Sequence, residues 1–495
     1  MLSSVLDILP SLTPSKGASS SSPQKIFAKL LAEDLVPEEI DSLLGALTEK
    51  KRLHESEEKK VDTELLYLFL RRSYERKVEQ LSQISKDLDQ VNMDLTAVKA
   101  DLTDIEPQEP TEGQGGTKKS PMFLSRRNRI FEHFDELEGF YFDKNAGTAG
   151  SSTQNEKSNL TLGALKSTMS SFLKYTAMTP IVTVRFGDAF NQSNIVSAVE
   201  FDRDEELFAT AGVTKRIKIF SFRSVLEDAE TVDVHLPVKE MVCDAKISCM
   251  SWNTYLRSHL LASDYDGMIK LWDVEQQSVI NSFDDHQKRV WSVDFSPADP
   301  RRFASGADDC AIKLWDINQR NATYTIDSKA NVCCVQFPNS DTSKLAVGSA
   351  QHSVTLYDLR NPRAPLRVFK GHKKAVSYVR FLDSEHIISA STDSSIRLWN
   401  TTTFQCERTF RGHLNERNFV GLSYRNDMIV SGSENNTIYV YHQAFSRPVL
   451  SYGLNRGTGR GSDSSGFVSS VLWKKNPNVI VAANSEGDVH LLRIE

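Results

Sequence analysis

Five segments in the second half of the chain repeat one another: SDYDGMIKLWDV (263–274), GADDCAIKLWDI (306–317), SAQHSVTLYDLR (349–360), STDSSIRLWN (391–400) and SENNTIYVYH (433–442). Their aromatics Trp272, Trp315, Tyr357, Trp399 and Tyr441 fall 43, 42, 42 and 42 residues apart. A fixed period of this length admits few folds, because each repeat is one unit that buries its apolar face only against its neighbours. Strand-like runs alternate with turns inside each period. The pattern predicts four strands per repeat, arranged as the blades of a β-propeller.

Two further repeats complete the count. NIVSAVEFDRDEELFATAGVTKRIKIFSF (194–222) precedes the five, and GFVSSVLWKKNPNVIVAANSEGDVHLLRI (466–494) follows them. The last offers three strands, and IVTVRF (181–186) supplies a fourth. Pairing the two ends of the domain in this way closes the ring and leaves no open sheet edge. The segments 223–245 and 450–465 read as longer connections between strands. Spacing inside the blades sharpens the assignment. His286, Ser305, Asp309 and Trp315, and again His372, Ser389, Asp393 and Trp399, share the gaps of 4 and 6 that place a His–Ser–Asp–Trp chain inside a WD-repeat blade. Such buried polar groups need partners, so these His and Asp residues read as structural. The fold class is an all-β seven-bladed WD-repeat β-propeller over 179–495, preceded by an α-helical coiled-coil region.

The first part of the chain has a different periodicity. Residues 1–24 hold the Ser/Pro-rich SLTPSKGASSSSPQ and read as disordered. KIFAKLLAEDL and EEIDSLLGALTEKK show a helical pattern from Lys25 to about Thr48. Leu81, Ile84, Leu88, Val91, Leu95, Val98, Leu102 and Ile105 then recur at alternating steps of 3 and 4. Tyr67, Leu70 and Tyr74 extend the series backwards, with Lys77 as a polar break. A 3.5-residue repeat predicts a left-handed coiled coil, so 25–105 reads as a dimerisation region. Residues 106–178 read as a linker, with one short aromatic-rich helix in SRRNRIFEHFDELEGFYF (125–142) and a flexible stretch at 145–159. Arg126, Arg127 and Arg129 suit either part of a nuclear-import signal or a solvated helix start.

Composition narrows the function classes. At 39% hydrophobic and 25% charged residues the chain is of the soluble globular kind. A net charge of −6 gives no global argument for nucleic acid. No run of 18 apolar residues appears, so no transmembrane helix or membrane partner is expected. MLSSVLDILPSLTPSK lacks a basic start and is a poor secretory signal. The six cysteines all lie at or after Cys243 and form no CxxC, which favours reduced thiols over disulfides or a zinc cluster. Neither a phosphate-binding glycine loop nor a nucleophile elbow is present, so no catalytic residue, metal or cofactor is expected.

What remains is recognition. HQKRVWSVDF (286–295) starts a strand with Arg289 and Trp291, two residues apart and so on one face. Alignment of the repeats puts Lys246, Arg289, Asn331, Ala375 and Phe419 at equivalent strand starts, beside the central channel. Lys374 lies just before Ala375, and Tyr265 falls in the neighbouring tight turn. One face therefore displays Lys246, Arg289 and Lys374 around Tyr265, Trp291 and Phe419. Aromatics ringed by cations suit a short peptide with an apolar centre and acidic flanks.

The repeats, from SNIVSAVEFDRDEELFATAGVTKRIKIF through KRVWSVDF and STDSSIRLWN to FRGHLNERNFVGL, resemble the propeller of the constitutive photomorphogenic ubiquitin ligase family. EEIDSLLGALTEKKR and DLDQVNMDLTAVKADL resemble its coiled coil, and SRRNRIFEHFDELEGFYF the segment before its propeller. The resemblance implies a groove lined by Lys246, Tyr265, Arg289, Trp291, His352, Lys374, Glu416 and Phe419, with His352 and Glu416 coming from the resemblance alone. It implies Val-Pro peptides with acidic flanks, in transcription factors and photoreceptors, as partners. It further implies nuclear and cytoplasmic residence and a coiled-coil partner: a second copy, a full-length ligase or a member of the suppressor family. Tyr357-Asp358-Leu359-Arg360 resembles the motif by which WD-repeat receptors dock on the cullin-4 adaptor, with Tyr where that motif leads with Trp.

One departure stands out. The family's RING finger needs seven or eight Cys or His ligands, whereas this sequence has no Cys before Cys243 and only His54, His133 and His235. Intrinsic ubiquitin transfer is therefore not expected. The sequence points to a substrate-recognition chain that acts through RING- or cullin-bearing partners. The alternative is a non-catalytic WD-repeat scaffold, or a competitor that sequesters the same partners.

Overall fold

The structure is a computed structural model and describes residues 37–105, 121–147, 154–185, 194–229, 234–339, 341, 343–454, 466–474 and 478–495. The Ser/Pro-rich 1–24 and the breaks at 106–120 and 455–465 lie outside the described residues. The chain divides into two compact units, Met1–Pro107 and Gln108–Glu495.

The first unit contains one continuous helix, α1 (Pro37–Ile105). KIFAKLLAEDL, the first part of the expected helical pattern, lies outside the described residues; from Pro37 onward EEIDSLLGALTEKK runs unbroken through the charged stretch into the heptads. The seam is solvent-facing in the single chain: Leu81 is 67% exposed, Ile84 and Leu88 are each 60% and Leu102 57%. Val91, Leu95 and Val98 are exposed as well. The side chain of Ile105 lies outside the described residues. An apolar row left uncovered along a single helix is the form a coiled-coil strand takes without its partner.

The second unit is a closed ring of seven four-stranded antiparallel sheets. The ring closes as the sequence implies. Met178–Val184 pairs with Val489–Ile494 as the outermost strand of the seventh blade, beside Val479–Asn484 and the innermost Val468–Lys474. The repeat aromatics are core residues, with Trp315, Trp399 and Tyr441 almost wholly buried. Trp315 stacks on Phe303 with centroids 5.7 Å apart and planes 7° apart. Neighbouring blades approach closely at the inner strands. A Cβ on Gly306 would lie 2.3 Å from Cγ1 of Val332 in the next blade, so only glycine fits there.

Two segments read as connections hold strands instead. Lys239–Val242 is the outer strand of the first blade, preceded by the short helix Phe222–Glu227, and Pro448–Gly453 is the outer strand of the sixth. Outer strands meet solvent on one edge and Val242 is 69% exposed, so the apolar alternation that marks inner strands is missing.

The span 106–178, expected to be a linker, carries three helices: α2 (Pro121–Glu132), α3 (Phe134–Gly147) and α4 (Gln154–Phe172). The expected single helix at 125–142 is broken at His133, and α4 begins inside the stretch read as flexible. Leu137 and Phe172 pack on Phe445 of the sixth blade. Arg129 is buried, and its guanidinium donates to the carbonyls of Tyr175 and Thr176. Arg129 therefore ties the helices to the first propeller strand and is not part of an exposed basic signal.

Candidate functional site

Both polar chains inside the blades form as their spacing implies. Trp315 Nε1 donates to Ser305 Oγ (2.8 Å), His286 Nε2 lies 2.7 Å from that oxygen, and His286 Nδ1 lies 2.7 Å from Asp309 Oδ2. Indole only donates and carboxylate only accepts, so the serine hydroxyl donates to Nε2 and the imidazole is protonated on Nδ1. Trp399, Ser389, His372 and Asp393 repeat the arrangement. These histidines are fully engaged within their blades.

The residues expected to line the groove are positioned by a hydrogen bond that recurs from blade to blade. The backbone N–H of Tyr265 donates to the Lys246 carbonyl, that of Asp308 to Arg289, and that of Ala350 to Asn331, each at 2.9 Å. Every such bond ties the start of an innermost strand to the tight turn beside it. In six blades the second residue of that strand interrupts the pairing, and in the third blade the interruption falls at Trp291. A bulge re-aims its side chain. Where the bulged residue is Ser197, Ser248 or Ser469, its hydroxyl donates to the carbonyl of Ile247, Val290 or Val196 in the next blade. Trp291 instead sends its indole N–H to Asp308 Oδ1 at 2.7 Å, and the same oxygen accepts from Asn331 Nδ2 at 2.9 Å.

Four of the eight expected groove residues meet directly. The Arg289 guanidinium lies 4.2 Å from the centre of the Tyr265 ring and 4.9 Å from that of Trp291. Tyr265 and Trp291 are 6.0 Å apart, and Trp291 reaches Phe419 of the sixth blade at 4.8 Å. Lys374 Nζ donates to the Glu416 carbonyl at 3.4 Å, linking the fifth and sixth blades. Lys246, His352, Lys374 and Glu416 are exposed, and His352 occupies its turn with φ of 64°. Among the described residues no acceptor reaches the buried Nε of Arg289.

Beneath the aromatics is a cavity of about 590 Å³, lined by Tyr265, Trp291 and Phe419 and also by Glu200, Asp294 and Arg380. Sequence reasoning missed the last three and Asp308. Burial pushes the Glu200 carboxyl up to about 8, against the pull of Arg380, and pushes Asp294 up to about 7. Asp294 Oδ2 accepts from Phe337 N at 2.7 Å, Gln336 Oε1 from Phe381 N, and Ser251 Oγ from Phe295 N. Each side chain precedes the aromatic that ends its strand and holds the backbone of the next blade. The repeat alignment contains that signal: a polar residue at this position in six of the seven innermost strands, with Leu472 in the seventh.

Residues 241–443 match the family described as nucleolar protein 10-like, N-terminal domain. The chain is 34% identical to the E3 ubiquitin-protein ligase COP1 of Pisum sativum, over 96% of this chain and 83% of that protein. The chain belongs to the COP1 family of WD-repeat proteins. It is 42% identical to the E3 ubiquitin-protein ligase COP1 of Arabidopsis thaliana, over 76% of this chain and 57% of the relative. Identity is 40% to the Arabidopsis protein SUPPRESSOR OF PHYA-105 1, over 76% of this chain and 41% of the relative. Two of these three relatives thus extend well beyond what this chain spans.

Proposed function

We propose that this chain is a substrate-recognition component of a ubiquitin ligase, and that its propeller binds Val-Pro peptides with acidic flanks. The observation that carries the proposal is the Arg289 guanidinium held against Tyr265 and Trp291, two of the rings that line the cavity. Such a stack keeps a cation desolvated on one side and directed at an incoming carboxylate. The flat rings accept a proline and a β-branched residue, both stiff and so cheap to order. Lys246 and Lys374 extend the positive rim for acidic flanks. Relatives named as E3 ubiquitin-protein ligases support the ligase context. In this reading ubiquitin transfer falls to a RING- or cullin-bearing partner, reached through the exposed α1 seam or a cullin adaptor.

The test is calorimetric titration of an acidic Val-Pro peptide into residues 108–495. A one-site isotherm is expected, weakened about 30-fold or more by Trp291→Ala, as for a central aromatic anchor. Retained affinity in Trp291→Ala and Arg289→Glu would overturn the groove. The exposed α1 seam, which suits pairing with a full-length ligase, favours a second reading, a competitor that sequesters the same peptides. Supplying a full-length family ligase separates the two, since a receptor raises substrate ubiquitination and a competitor lowers it.

A further inference from the structure

Between the two apolar runs at the start of the chain the sequence reads EDLVPEEID (33–41), and of the 16 prolines Pro37 alone follows a valine. Glu33 and Asp34 precede the Val36-Pro37 step, and Glu38, Glu39 and Asp41 follow it. We propose that this segment is a ligand for the propeller of a second copy of the chain, occupying the Tyr265–Arg289–Trp291 face when no substrate is present. The inference rests on the peptide-receptor reading above and names the chain itself as one of the receptor's ligands.

Chemistry supports the match. An apolar Val-Pro step between carboxylates is what stacked Arg289, the rings beside it, and exposed Lys246 and Lys374 are suited to hold. The sequence also suits a local role for the segment, as a helix start with Pro37 followed by acids. Proline at a first helical position and acids in the first turn suit a helix start. That role accounts for Pro37, Glu38 and Glu39. It does not account for Glu33, Asp34 or the valine. Pairing of copies through the α1 seam raises the segment's effective concentration to the order of millimolar. A self-ligand of modest affinity then competes with substrate.

The test uses a fluorescein-labelled peptide carrying Val-Pro between paired glutamates as reference ligand. It is titrated into the full chain, the full chain with Val36→Ser and Pro37→Ala, and residues 108–495. The expected result is reference binding about tenfold tighter in the double variant than in the wild type, equal to that of 108–495. An unlabelled peptide of residues 31–43 is expected to displace the reference from 108–495, whereas the same peptide carrying Val36→Ser and Pro37→Ala is not. Equal binding by all three proteins with no displacement overturns the self-ligand and leaves the receptor intact. Binding by none of them overturns the receptor reading, and the self-ligand with it.

Discussion

Asp308 and Asp309 are adjacent, yet they serve different ends. Asp309 closes the His286–Ser305–Trp315 chain and also accepts from the N–H of Ala311. Asp308 accepts from Trp291 and Asn331 on the recognition face. Replacing Asp309 with Ala leaves a buried imidazole N–H without an acceptor, at a cost of about 1–3 kcal/mol. Asp309→Ala is therefore expected to lower Tm by several degrees while leaving peptide affinity nearly unchanged. Asp308→Ala frees an indole that must then be ordered on binding, so affinity is expected to fall about tenfold at nearly constant Tm. Thermal melts and titrations on the same preparations check both, and a shared loss of stability would refute the division. Only one of the pair was legible in the sequence. Asp309 sits at a fixed distance from three partners of its own blade. Asp308 has meaning only beside Trp291 and Asn331, which strand pairing and the next blade bring to it.

At the scale of elements, legibility followed the solvent. The repeat was announced by the third strand of each blade, such as Ile269–Asp273 and Ala311–Asp316, whose aromatics Trp272 and Trp315 are core residues. The outer strands Lys239–Val242 and Pro448–Gly453 lie half in water and read as connections. The helix read at 125–142 proved to be two, and α4 was hidden for a related reason. Their buried surface is small and composed of scattered residues, among them Leu137, Phe172 and the cation Arg129. Phe172 is the centre of that layer, with its ring 4.6 Å from Phe445 and 5.3 Å from His133. Phe172→Ala is expected to cost about 3–5 kcal/mol of local stability. Limited proteolysis should then cut within 121–172 well before the propeller. Equal resistance of wild type and variant would show that these helices do not depend on the sixth blade. The coiled-coil seam was readable because its partner is repetitive too, and heptads need no tertiary context.

The closed ring sets how the whole molecule responds to pH. His413, His442 and His490 are buried in three different segments, and burial pushes each down to about 4. The unfolded chain protonates them near pH 6.5. Their contribution is present above about pH 6.5 and is lost as pH falls toward 4. Glu200 and Asp294 act in the opposite sense. Burial raises them to about 8 and about 7, so their contribution is present below the ordinary carboxylate range and is lost as pH rises through 7 to 8. Between pH 5 and 6.5 unfolding takes up protons at these three histidines, and at His133, His259 and His372, which burial also lowers, and releases them from two acids, so stability rises with pH. Once the histidines are neutral in both states the acids dominate and stability falls. Tm is therefore expected to peak near neutral pH. Glu200→Gln with Asp294→Asn keeps an oxygen to accept from Phe337 and removes the buried charge, so it should flatten the alkaline limb and steepen the acid one. Melts from pH 5 to 8.5 decide the matter. An unchanged Tm between pH 6.5 and 8.5 in the wild type would mean that water in the channel carries the charges of Glu200 and Asp294 at no cost to the ring.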